Sequence, residues 1–235
     1  MSAEKPKVAF YWCASCGGCE EAVVDLAERL LDAADLLDIV FWPVALDFKR
    51  ADLEAIPDQG LFAAFVNGAV RTSEQEEMAR LLRRKAKVLV AVGACAQWGG
   101  VPGLANLYTR AELLNRAYAE AGLPLWSWRM NGFDLHLPDF HTSVRSLVQT
   151  VDVDYSIPGC PPTPDVFMAA VGTLLGGELP PPGTVLAPDH ALCEECPRKD
   201  SRPEDLSIER FHRTHEIVAD ETRCLLAQGL PCLGA

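Results

Sequence analysis

The sequence predicts an α/β fold: an open, mostly parallel sheet, doubly wound by helices, followed by a short irregular segment. Three observations carry this. Short runs that are apolar throughout alternate with longer amphipathic stretches, the pattern of strand–helix–strand units in a parallel sheet. Glycines and cysteines fall just after the apolar runs, where such a sheet gathers its functional loops. The composition then shifts at the proline-rich "ELPPPGTVLAP", after which the chain turns polar and aperiodic. The expected division is a sheet domain at residues 1–178 and a C-terminal segment at 179–235.

Taken in order, "KVAFYWC" is the first strand. "EEAVVDLAERLLDAADLL" follows as a helix, with Val23, Leu26, Ala27, Leu30 and Ala34 on one face. "LDIVFWPVAL" and "GLFAAFVNG" are buried strands. Ser73 with Glu76 forms a capping box for the helix in "EQEEMARLLRRKAK", whose acidic start and basic end suit the helix dipole. "VLVAVGAC" is the clearest buried strand. Thr109 with Glu112 opens another helix, stopped by Gly122 and Pro124. Residues 126–142 have no period and are rich in aromatics, among them Trp126, Trp128, Phe133 and Phe140. They are expected to form a long loop against a partner, with a lid over this subunit's own sheet as the second reading. Thr163 caps and Pro164 starts a last helix, which Gly176 ends.

The bulk properties narrow the function. A net charge of −12 over 235 residues excludes a nucleic-acid surface, which needs a basic footprint. No run of about 18 apolar residues is present, so no helix is expected to span a membrane. The N-terminus lacks a signal-peptide core, and the twin arginine Arg83–Arg84 lies deep in the chain. The expected compartment is the cytoplasm. Nine cysteines in that compartment call for metal rather than disulfides.

Cys16 and Cys19 follow the first strand, Cys95 ends "VLVAVGAC", and Cys160 follows "VDVDYSIPG". All four belong to loops at the carboxyl ends of strands, so residues far apart in sequence can meet at one sheet edge. Four thiolates at one place are the ligand set of a [4Fe-4S] cluster. Gly17 and Gly18, Gly99 and Gly100, and Gly159 leave room for the backbone to approach it. Structural zinc is the alternative, although its usual near-contiguous second pair would here be split between Cys95 and Cys160. A thioredoxin-type thiol pair would leave Cys95 and Cys160 unexplained. Cys13 reads as a small buried hydrophobe. Trp98 reads either as a shield for the cluster or as core. Glu20 and Glu21 read as ordinary dipole partners of a first helical turn, with proton movement as the second reading.

These segments resemble the small, iron-sulfur subunit of [NiFe] hydrogenases. "CGGCE" looks like that family's first ligand pair, "GACAQWGGVPG" its G-x-C-x-x-x-G-G segment, and "DVDYSIPGCPPTPD" its P-G-C-P-P segment. The tail, "LCEECPRK" with "ETRCLLAQGLPCLG", resembles the cytoplasmic group that includes methyl-viologen-reducing and deazaflavin-reducing hydrogenases. The resemblance implies a flavodoxin-like fold and an electron-carrying role. It implies a large partner subunit that holds the nickel-iron centre, with no catalytic residue in this chain. The quinone-side iron-sulfur subunit of complex I shares the second and third segments, but its first two cysteines are adjacent. A hydrogenase-like subunit whose partner has lost nickel is a further alternative.

The tail holds a second C-x-x-C pair and two later cysteines. Cys193, Cys196, Cys224 and Cys232 are therefore expected to carry a second [4Fe-4S] cluster, with Pro197 directly after the pair. A segment with so little apolar periodicity needs such a staple to fold. His190 is the second-ranked ligand. The sequence stops at "PCLGA", where the cytoplasmic relatives run on to a third cluster, so two clusters are expected. A further iron-sulfur or flavin subunit is expected to collect electrons near the tail.

Overall fold

The computed structural model describes residues 5–120, 129–130, 133–134 and 137–232. Its main sheet contains β1 (Lys7–Trp12), β2 (Asp38–Phe41), β3 (Leu61–Asn67), β4 (Ala86–Val92) and β5 (Tyr155–Ile157). They lie in the order β2-β1-β3-β4-β5, and every neighbouring pair is parallel. That is the flavodoxin-like order, which reverses between β1 and β3 and opens a crevice at their carboxyl ends. β3 and β4 are buried along almost their whole length, because helices cover both faces.

On one face α1 (Gly18–Val24), α2 (Glu28–Leu36) and, later in the chain, the helix Pro164–Leu175 frame a core of Phe10, Phe65, Val90, Val23, Phe167 and Leu174. On the other, α3 (Arg50–Ala55) and α4 (Ser73–Lys85) bring Leu53, Met78 and Leu82 against Ala64, Val66 and Leu89. Between β4 and β5 run α5 (Gly93–Trp98), α6 (Gly100–Gly103) and α7 (Arg110–Leu114). The helix Pro164–Leu175, here α8, begins at the Thr163 cap and ends at Gly176, as the sequence predicts.

Several elements differ from expectation for visible reasons. The helix expected from Glu20 onward breaks at Ala27, which sits at φ 51° and ψ −121°. The break resets the helical phase, so Ala33 and Leu37 are buried while Ala27 and Ala34 are exposed. β2 ends at Phe41, short of the expected run to Leu46. The capping box of α4 lies one residue early, on Thr72 and Gln75. Val70–Thr72 pairs antiparallel with Phe140–Arg145, and the Ser73 hydroxyl is taken by the Asp139 N–H at 3.0 Å. The stretch expected as a loop thus ends within the strand Phe140–Arg145, and Arg129–Met130 pairs with Phe133–Asp134. Trp126, Trp128, Gly122 and Pro124 lie outside the described residues. α7 opens at Thr109 and Glu112 as expected, then passes into a wider turn at Asn115–Ala119.

Two compact units divide at residues 187 and 188. The expected boundary at 178/179 falls inside the first, because the chain returns from α8 to the edge of β5. There the Ser156 N–H donates to the Thr184 carbonyl at 3.3 Å, and the Leu186 N–H to that of Ser156 at 2.7 Å. The second unit has short helical turns, including α9 (Leu192–Glu195), and no strand among its described residues.

Candidate metal centre

The first loop is pinned where the strand order reverses. After β1, the Cys13 N–H donates to the Asn67 carbonyl at 2.8 Å, and Ala14 and Ala69 exchange two bonds of 2.8 Å. These carry the chain across the end of β3. Gly17, at φ 89°, then turns it into α1. Cys16 lies before that turn and Cys19 lies in the first turn of α1, buried.

Cys95 reaches the same edge from α5, directly after β4. Two glycines make room for the thiols. A Cβ on Gly93 would collide with Cys19 Sγ, and one on Gly100 would stand 2.8 Å from Cys95 Sγ. Both have positive φ, 77° and 52°. Cys160 arrives after β5, where the Gly159 carbonyl accepts the Ala94 N–H at 2.7 Å and ties the two loops together. Loops that follow β1, β4 and β5 thus deliver four thiols to one edge.

Their electrostatics show the convergence. Burial pushes the Cys19 thiol up to about 12, and the neighbouring Cys95, Cys16, Cys160 and Glu20 add to the rise. Burial also raises Cys95, with further contributions from Cys160 and Cys16, opposed by the Val101 N–H. Four facing thiols resist ionising together unless cations lie among them.

The residues set aside in the sequence divide. Cys13 is buried in the core on the opposite face, its thiol raised to about 12 by burial alone, apart from the four. Trp98 is not core: it is 78% exposed. Val101, Leu104, Leu107 and Tyr108 are exposed beside it. Glu20 is no ordinary dipole partner. It is 5% exposed, and its carboxylate accepts the Trp42 indole N–H and the Asn67 amide N–H. Burial raises its pKa and the two hydrogen bonds oppose the rise. Glu21, one residue on, is exposed. Sequence reasoning missed Ser15, Trp42 and Asn67, since their bonds to one another and to Glu20 join distant segments and leave no periodic signal.

In the second unit Cys193, Cys196, Cys224 and Cys232 all line one cavity of about 710 Å³. Leu192, Leu226 and Pro231 make much of its wall apolar. The Cys224 N–H donates to Ser201 Oγ at 2.7 Å, and the Arg198 N–H approaches Cys196 Sγ at 3.4 Å. His190 is not part of that wall. Its Nε2 pairs with the Glu195 carboxylate at 2.5 Å, which holds its pKa up.

A flavodoxin-like sheet with four thiols at its carboxyl edge defines a class, the small subunits of multi-subunit redox enzymes. Comparison with known proteins agrees. The family described as "NADH ubiquinone oxidoreductase, 20 Kd subunit" matches residues 16–174. The iron-sulfur subunit of the F420-non-reducing hydrogenase of Archaeoglobus profundus is 38% identical over 97% of this chain and 74% of its own length. The delta subunit of the NAD-reducing hydrogenase HoxS of Cupriavidus necator is 31% identical over 74% of this chain and 80% of its own. A chain in the crystal structure of an NAD+-reducing [NiFe]-hydrogenase superposes with a TM-score of 0.64 at 33% identity, covering 77% of this chain and 97% of that one. The chain belongs to this family, in its branch of [NiFe] hydrogenase small subunits.

Proposed function

We propose that this chain relays electrons between the nickel-iron centre of a hydrogenase large subunit and a further redox subunit. The carrying observation is the meeting of four thiols from three sequence-distant segments, Cys16 with Cys19, Cys95 and Cys160, at one sheet edge with glycines beside them. These residues would hold a first [4Fe-4S] cluster, and Cys193, Cys196, Cys224 and Cys232 a second. When bound, such clusters supply one-electron storage at potentials set by hydrogen bonds, charge and solvent exclusion. The chain's own part is to fix the thiols and aim N–H groups at sulfur. Gly18 N–H toward Cys16 Sγ, at 3.5 Å, is one such contact.

The exposed apolar run from Trp98 to Tyr108 follows directly on Cys95 and supports this edge as the large-subunit face. Among the described residues no helix is long and apolar enough to cross a membrane. The quinone-side alternative draws on the same family. Cys16 and Cys19, with Gly17 and Gly18 between them, favour the hydrogenase reading, as do the names of the relatives.

Iron and acid-labile sulfide per chain test the proposal, together with the electron paramagnetic resonance (EPR) signal of the reduced protein. About eight irons are expected, falling to about four in Cys95→Ser or Cys160→Ser. Stoichiometric zinc, or a full iron load in Cys95→Ser, would sink it.

A further inference from the structure

We infer that Asn67 is a positioning residue for the first cluster, a clamp that grips both flanks of the Cys16–Cys19 loop. The inference rests on the reading of those cysteines as ligands and adds residues outside the ligand set. Asn67 ends β3 and is 4% exposed. Its backbone carbonyl receives the Cys13 N–H at 2.8 Å. Its side-chain Oδ1 accepts the Ser15 hydroxyl at 3.0 Å, one residue before Cys16. Its Nδ2 donates to Glu20 Oε1 at 2.5 Å, one residue after Cys19.

The two ends of the clamp are themselves held. The second Glu20 oxygen accepts the Trp42 indole N–H. Ser15 Oγ, having given its proton to Asn67, accepts the Gly17 N–H at 3.3 Å. The bonds give the chain one polarity: the Asn67 amide donates toward Glu20 and accepts from Ser15. Asn67 touches none of the thiols. It acts through their neighbours and ties a loop to a sheet strand, the more rigid element, so the pair is set before iron arrives.

Reversing that polarity is the test, in the full-length chain reconstituted with iron and sulfide. Asn67→Asp removes the amide donor that faces Glu20 and sets two carboxyl groups together in a buried site. Iron is expected to fall from about eight to about four per chain. The EPR signal of the first cluster should be lost, at a temperature where the far-ultraviolet circular dichroism is still native. Glu20→Gln alone should be mild, because the Asn67 amide can turn over and donate to Ser15. The double variant Glu20→Gln/Asn67→Asp restores one donor facing one acceptor, and should recover both iron and spectrum. Ser15→Ala should keep the iron and shift the spectrum of the reduced cluster.

Full iron with a wild-type spectrum in Asn67→Asp would overturn the clamp. So would a double variant as deficient as Asn67→Asp, or an unchanged spectrum in Ser15→Ala. A full iron load in Cys95→Ser would instead overturn the ligand reading on which the clamp depends. That outcome is separate, because it involves neither Ser15 nor Asn67.

Discussion

Single residues here are decided by what surrounds them. Cys13 and Cys19 lie close together in sequence and both thiols are raised to about 12. One is raised by burial alone, the other also by three facing thiols. Cys13→Ser is therefore expected to keep the full iron load and lose only modest stability, which iron analysis beside a thermal melt will check. Glu76 shows the opposite perturbation. Hydrogen bonds from Arg80 and then Arg145 hold its carboxyl at about 2, and His141 Nε2 lies 3.1 Å from it. Its folded pKa is depressed below the ordinary 4.5. The stabilisation is thus complete above that value and lost as pH falls toward about 2. Glu76→Gln should cost about 1 kcal/mol near neutral pH, since solvent reaches the pairs and screens them. Melting curves of the two proteins should draw together as pH drops through that window; a gap that stays constant would refute the assignment.

At the scale of elements, the apolar strands and the capped helices follow local rules, and the exceptions have local causes. Ala27 breaks what the apolar period predicts as one helix, holding a backbone conformation that suits glycine. Ala27→Gly should raise stability by about 1 kcal/mol, the relief of strain exceeding the entropy that glycine adds to the unfolded chain. Denaturant titration decides it, and a lower midpoint would mean that the site is unstrained. The Thr109 and Thr163 caps are legible in the sequence because capping chemistry is confined to a few neighbouring residues. The Thr72 box is not. Choosing between Ser73–Glu76 and Thr72–Gln75 requires knowing that Val70–Thr72 pairs with Phe140–Arg145, a contact between distant segments.

On the scale of the whole chain, the proposal of two centres makes separable predictions. Cys196→Ala should leave the first cluster's spectrum intact and abolish reduction of the downstream acceptor, whereas His190→Ala should be nearly silent. Normal acceptor reduction in Cys196→Ala would remove the tail from the electron route. Trp98→Glu should weaken binding of the large subunit by tenfold or more, roughly the loss expected for a buried aromatic anchor, with no change in iron content. Unchanged affinity would move the interface elsewhere. By itself the sequence determined the strand–helix alternation, the parallel sheet, and which cysteines follow strand ends, because periodicity and spacing are properties of neighbouring residues. Only the tertiary structure decided that Glu20 is buried, that Trp98 is exposed, and that Asn67 stands between Ser15 and Glu20. Those facts depend on which strands lie side by side, and the order β2-β1-β3 brings the ends of β1 and β3 together across some fifty residues of intervening chain. Local pattern carries no record of that adjacency; it is set by the packing of helices on both faces of the sheet.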